Sequence, residues 1–426
     1  TLLTLLSEEH PADIAEIISE LDLEEATYLF KLLDSDRTSD ALLEIDEDDR
    51  EKILKNLSAQ EIAEEIGEMD TDDAADILSE LSDVRASEVI SEIQDDDHAK
   101  DIVDLLRYEE GTAGALMAKE HVKVKETWLV PTTVRKIRSQ AQEVTRVHSI
   151  YVVDKDDHLI GRLSLKDLLV APAEARISDI YIPKVDYVNV HDKDEDVALL
   201  MQKYDLEAIP VVDDDHILLG RITIDDIVDL IREEAEKDYQ MAAGITEDID
   251  ADDSILDKTK ARLPWLVLGL MGGFAAASIM GGFEDALTQY PELFYFTPLI
   301  AAMAGNVGVQ SSAIVVQGLA TNNIKGSMWS RMLKEIALSV VNGVVLAILN
   351  SLLGSIFQYH SDISMTISIS LIIVIIIASL IGTFVPLILD KNGIDPAVAT
   401  GPFITTSNDI FGIFIFFFVA KLILGF

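Results

Sequence analysis

A chain of 426 residues exceeds one ordinary domain of ~100–200 residues, and its 76 acidic against 33 basic side chains leave a net charge of −43. Such a surface repels phosphate backbones, which excludes nucleic acid and favours cations as counter-species, while the absence of cysteine removes disulfides, thiolate metal sites and cysteine nucleophiles. The mean hydropathy is nevertheless +0.24, so charge and apolar residues must occupy separate regions. Residues 1–262 hold 68 acids and 28 bases, whereas 263–426 hold 8 and 5. The first region reads as an acidic soluble body and the second as membrane. The stretch 1–9 has no basic flank and no apolar core, so no signal peptide is expected and the body is expected in the cytoplasm.

Residues 1–110 read as helix after helix. The runs DIAEIISEL at 13–21 and DAADILSEL at 73–81 are near copies at an offset of 60, the mark of a helical-repeat domain. Ile14, Ile17, Ile18 and Leu21 recur at helical spacing, and Ser58 with Glu61 predicts a capping box.

A second repeat follows. Residues 150–154 (IYVVD) and 161–168 (GRLSLKDL) match 209–213 (IPVVD) and 220–227 (GRITIDDI) at an offset of 59. Each copy predicts a β-branched strand, an acidic turn, a strand after Gly-Arg, and a Ser/Thr N-cap opening a helix. These copies resemble the CBS-domain family, giving a first CBS repeat over 112–172 and a second over 173–232. The resemblance implies an α/β tandem (Bateman) module that commonly dimerises and often binds adenine nucleotides such as ATP. Ser164 with Asp167, and Thr223 with Asp226, occupy the positions that hold a nucleotide ribose in that family; helix capping is the plainer account of the same residues. A connecting helix is expected over 233–262, one stretch at 231–243 and another at 254–262 leading into the membrane, where Lys258, Lys260 and Arg262 suit the headgroup surface.

Five apolar segments follow, at 263–280, 294–319, 336–356, 367–389 and 403–426, each long enough to cross ~30 Å of hydrocarbon as a helix. Loop charges alternate: Lys258, Lys260 and Arg262 precede the first, Glu284, Asp285 and Glu292 follow it, and Lys325, Arg331 and Lys334 follow the second. The positive-inside rule then puts the N-terminus inside and the C-terminus outside a plasma membrane. Asn306, Gln310, Asn342, Asn350 and Asp409 lie at membrane depth, which points to a pathway or to helix–helix hydrogen bonding.

The second segment contains PLIAAMAGNVGVQSS (298–312) and the fifth opens with GPFITTSND (401–409). Together with the order of domains, these motifs closely resemble the MgtE family of magnesium channels over essentially the whole chain. The resemblance implies a multidomain membrane protein: an all-α N domain, a CBS pair, a connecting plug helix and a five-helix transmembrane domain, assembled as a homodimer in the lipid bilayer. Its pore is lined mainly by the second and fifth spans. Magnesium prefers octahedral oxygen and sheds water reluctantly, so a conducting site should touch the hydrated ion through few carboxylates. Asp409 is assigned that role, with Thr405 one turn away, Asn306 and Gln310 sharing a face of the second span, and Gly305 and Gly308 permitting close approach. Similarity to the family places regulatory Mg2+ ligands at Asp72, Asp76, Glu195, Asp205, Asp226, Asp229, Glu234 and Asp238. Lys237 stands where the family can have an acid, with Glu236 beside it.

No phosphate-binding Gly-rich loop and no nucleophile–base pair stands out, and the histidines are scattered, so the expectation is a passive conductor and not an enzyme. Two alternatives stay open: a CBS-regulated transporter of another divalent cation governed mainly by adenine nucleotide, and a membrane-attached scaffold that conducts nothing.

Overall fold

The computed structural model describes residues 6, 9–142, 144, 146–246, 249, 254–321, 324, 326–399 and 401–426; Lys325, used above for orientation, lies outside them. The chain divides into two compact units, Thr1–Arg232 and Glu233–Phe426.

The first unit begins with short helices α1 (Pro11–Ser19), α2 (Leu23–Phe30), α3 (Ser35–Glu44), α4 (Glu47–Lys55), α5 (Ala59–Ile66), α6 (Thr71–Ser79), α7 (Asp83–Glu92) and α8 (Asp96–Leu105). Helices α1 and α6 are the two copies at offset 60, each nine residues long. Packing is between alternate helices, α1 on α3, α3 on α5, α5 on α7 and α6 on α8. It buries Ile14, Ile18, Leu42, Leu54, Ile62, Ile66, Ile77 and Leu78, while of the expected apolar set Ile17 stays exposed and Leu21 half-buried. The Ser58–Glu61 capping box forms as expected. Arg50 pairs with Glu80 and also donates to the carbonyls of Leu42, Leu43 and Ile45, so a largely enclosed charge is partnered.

The CBS pair has two three-stranded sheets, β1 (Val122–Lys125), β2 (Ile150–Val153), β3 (Leu159–Leu163) and β4 (Val188–Asn189), β5 (Ala208–Val212), β6 (Leu218–Thr223), with helices α9 (Val130–Gln140), α10 (Leu165–Val170) and α11 (Asp194–Tyr204). In each sheet the first strand is parallel to the second and the second antiparallel to the third. The repeat holds down to the register, Val152 opposite Gly161 and Val211 opposite Gly220. It also holds at the left-handed turn residues Asp157 and His216, with φ of 67° and 66°. The two turns pair with each other through Leu159 N to His216 O (3.0 Å) and Leu218 N to Asp157 O (3.1 Å).

Helix α12 (Ile224–Ala243) starts on the second CBS repeat and runs through the 232/233 boundary without a break. The stretches expected to be helical at 231–243 and 254–262 both fall in helices, the second from Ile255 with Ser254 as its N-cap. Nothing in 224–243 stops a helix, Gly244 ends it at φ +83°, and residues from Ile255 onward already belong to the first membrane helix.

The second unit contains α13 (Ile255–Gly281), the short α14 (Glu284–Gln289), α15 (Glu292–Ala320), α16 (Met328–Ile356), α17 (Ser361–Lys391) and α18 (Gly401–Leu424). Five of these are long and apolar enough to cross a membrane; at ~1.5 Å per residue even the shortest reaches ~36 Å. The helices begin up to eight residues before the apolar segments read from the sequence, because hydrophobicity marks the hydrocarbon crossing and not the hydrogen-bonded helix. Helix α15 packs on α17 and α18, around buried Ile300, Ala304, Leu371, Val374, Ile413, Phe416 and Phe417.

Candidate functional site

Helices α15 and α18 cross where α15 carries glycine. A Cβ at Gly305 would come 3.2 Å from Thr405 Cγ2 and 3.5 Å from Asp409 Oδ1, and one at Gly308 would collide with the Asn408 amide. The backbones therefore meet closely, and a cleft of about 300 Å³ is left beside the crossing, lined by Ala301, Ala302, Gly305, Asn306, Val309 and Gln310 of α15 with Thr405 and Asp409 of α18. Five of the six predicted pore residues line it, although two segments a hundred residues apart supply them. The sixth, Gly308, sits behind the cleft against Asn408.

Asp409 stands eight residues into α18, ~12 Å from its start, and among the described residues no charged group lies close enough to act on it. Thr405 Oγ1 donates to the Gly401 carbonyl (2.9 Å), leaving its oxygen to accept. Asn306 and Gln310, one turn apart, add neutral amides to the same wall. A carboxylate among hydroxyl, amide and small side chains can hold a hydrated cation through its water shell.

The other intramembrane amides differ. Asn350 donates to Ser364 O (3.2 Å) and Ser368 Oγ (2.9 Å), which ties α16 to α17; Asn342 lies exposed on α16. Glu335 of α16, which the sequence reading passed over, accepts a 2.6 Å hydrogen bond from Ser311 of α15. In the sequence it stands next to Lys334, just before the apolar segment at 336–356, and so carried no signal of its own.

In the first unit, helix α6 faces the start of α12. Asp70 precedes α6 and lies 3.4 Å from Arg221 Nη2 of β6, while Thr223 N and Oγ1 donate to Asp226 Oδ2 at 2.9 and 2.8 Å. Burial, then the charges of Asp73, Asp226 and Asp70, raise the Asp72 carboxyl well above its ordinary range. Burial with Asp226, Asp70, Asp76 and Asp225 pushes Asp73 up to about 8. Asp226 rises to about 6 through burial, only partly offset by the bonds from Thr223. Of the predicted regulatory ligands, Asp72 and Asp226 thus come together, with Asp76 within electrostatic reach of Asp73. Asp70 and Asp73, not singled out from the sequence, complete the group. Glu195 on α11, Asp205 at its left-handed end (φ 51°) and Asp229 are exposed and outside this group. Glu234 and Asp238 lie on α12, where Lys237 pairs with Glu234 at 3.1 Å; the basic departure therefore engages one of the predicted ligands directly.

At the ribose positions, Ser164 Oγ accepts from Asp167 N (3.5 Å) and Asp226 accepts from Thr223, so both pairs cap helices. Asp154, Asp156 and His158 also approach one another, their ligating atoms within 4.8 Å. Turn chemistry accounts for this: Asp154 accepts the amides of Asp156 and His158 as Asp213 accepts those of Asp215 and Ile217.

Family models match three parts of the chain: a divalent cation transporter domain (MgtE) at 297–419, the MgtE intracellular N domain at 9–111, and CBS domains at 113–174 and 177–233. The chain is 36% identical over 325 residues to the magnesium transporter MgtE of Enterococcus faecalis, covering 76% of this chain and 72% of that protein. This chain belongs to the MgtE family of magnesium transporters. The MgtE of Thermus thermophilus is 33% identical over 332 residues, again covering 76% and 72%. A solved structure described as the soluble part of a magnesium transporter shares 33% identity at a TM-score of 0.50, covering 55% of this chain and 91% of its own. The cytosolic domain of the Mg2+ channel MgtE in complex with ATP shares 34% at a TM-score of 0.51, covering 54% and 93%. As an MgtE-family member with five apolar helices, this is a multi-pass membrane protein.

Proposed function

We propose that this MgtE-family chain forms a homodimeric Mg2+ channel of the plasma membrane, N-terminus cytoplasmic and C-terminus outside, that admits Mg2+ down its electrochemical gradient. The observation that carries the reading is the cleft that places Asp409 opposite Gly305, Asn306 and Gln310. Two copies of Asp409 facing each other across the dimer axis supply the charge, while Thr405 and the amides orient water of the hydrated ion, which keeps its tightly held shell. A membrane potential supplies about 2 × 2.3 kcal/mol per 100 mV for a divalent ion, enough for passive entry.

We further propose that Mg2+ closes the channel by binding between α6 and α12. Carboxylates at 72, 73 and 226 whose protons are held against burial and mutual repulsion suit a divalent cation, which neutralises what protonation otherwise must. Asp72, Asp76 and Asp226 would hold the ion together with Asp70 or Asp73, and Glu195, Asp205, Asp229, Glu234 and Asp238 would act where the two subunits meet. The signal reaches the pore through α12. Its C-terminal end abuts the start of α18: a Cβ at Gly401 would collide with Ala242 O, and one at Gly244 with the Pro402 ring. Thr246 N and Oγ1 both bond Ala261 O of α13, at 3.1 and 3.0 Å.

Flux of Mg2+ into liposomes carrying the full chain tests the reading: Mg2+ entry at submillimolar cytoplasmic-side Mg2+ is expected, and absence of entry sinks it in favour of a scaffold. The ATP complex of the related cytosolic domain favours a second, compatible reading in which adenine nucleotide at the CBS pair tunes this response.

A further inference from the structure

Asn408, next to Asp409, is 1% exposed, and neither its Nδ2 nor its Oδ1 has a hydrogen-bond partner. The amide lodges in a slot that exists because residue 308 is glycine, walled by Ile404. Behind that slot α17 closes in equally tightly, since a Cβ at Gly382 would collide with the Gly308 carbonyl. Ser312, one turn along α15, and Thr383, next to Gly382, are also buried with unpartnered hydroxyls. A three-helix junction that buries an amide with neither end paired to a protein group is destabilised relative to any arrangement that satisfies it.

Water is close by. Thr405 lines the cleft, and Asn408, three residues on, projects about 60° around α18 from it. We propose that Asn408 is a positioning residue for gating: its unpaired amide destabilises this packing of α18, so that the helix turns readily toward a setting in which the amide meets the water of the cleft and the pore conducts. The inference rests on the reading of the cleft as the ion path.

Single-channel recording of the full chain in planar bilayers with Mg2+ as charge carrier tests it. Asn408→Leu and Asn408→Ala, which remove the unpaired groups, are expected to lower open probability about tenfold or more with unitary current unchanged, and to raise the melting temperature in Mg2+-free buffer. Gly308→Ala, which fills the slot, is expected to act in the opposite direction and raise open probability. If Asn408→Leu does not assemble, Asn408→Ala decides. Unchanged or raised open probability in the Asn408 variants, or an altered unitary current at unchanged open probability, overturns the proposal. Failure of the ion-path reading shows separately, as full unitary current in Asp409→Ala.

Discussion

In the first unit Asp70, Asp72, Asp73 and Asp226 crowd the junction of α6 with α12, and burial together with the neighbouring charges raises the proton affinity of Asp72, Asp73 and Asp226. In the second, Asp409 stands alone among glycines, amides and a threonine. On the proposed reading the crowded group would act as a sensor, because its free energy changes steeply with any cation that neutralises it. The solitary acid suits the proposed passage, in which one carboxylate per subunit would attract a hydrated ion without holding it. The same residue type serves two ends because its neighbours differ, and each variant below acts on one side of that contrast.

The largest effect is expected at the solitary acid. Asp409→Asn keeps the shape and removes the charge, so Mg2+ flux into liposomes should fall at least about a hundredfold, the scale of a lost charge-assisted contact, while the first unit melts as in the parent. Next comes a break confined to the first unit. Arg50→Ala leaves Glu80 buried without its partner, which should cost about 3–5 kcal/mol in denaturant unfolding of that unit and leave the Asp409 cleft intact.

The crowded group should show itself in pH. Its folded carboxyls hold protons more tightly than the unfolded chain, whose value is near 3.8. The folded state therefore binds the extra protons between these limits, and stability falls as pH rises. Without divalent cations, the contribution of these carboxyls to stability of the first unit should be fully present below about pH 4. It should decline through about 6, where Asp226 ionises, and through about 8, where Asp73 does. Millimolar Mg2+ should flatten that decline, and Asp72→Asn with Asp226→Asn should abolish most of it. A pH-independent melting temperature in Mg2+-free buffer contradicts the crowding account. The smallest effect belongs to Ser164→Ala, which removes a cap and should cost about 1 kcal/mol; a calorimetric ATP titration of the full chain that also weakens in this variant would add a nucleotide role to the cap.

Much of this contrast was legible in the sequence, and for physical reasons. The offsets of 60 and 59 survive because repeated helices and strands need repeated apolar spacing, down to the paired left-handed turns at Asp157 and His216. The five spans stand out by apolarity alone. The Asp409 cleft was legible only through motif resemblance, since nothing local in 298–312 signals that it meets 401–409. Strands β1 and β4, four and two residues long, were too short to leave a pattern. Asp70 and Asp73 were hidden among many acids of similar spacing, and their importance comes from burial, which the sequence of one face does not report. Asn408 reads as one more polar residue until Gly308 and Gly382 are seen to enclose it.

The central claim is that one ion is both cargo and closing signal. Mg2+ flux through the reconstituted full chain, measured while Mg2+ on the cytoplasmic-domain side is raised from micromolar to millimolar, tests it most directly. The account predicts flux that shuts off over that range in the parent and persists in Asp72→Asn with Asp226→Asn; flux in the parent that ignores Mg2+ on that side would contradict it.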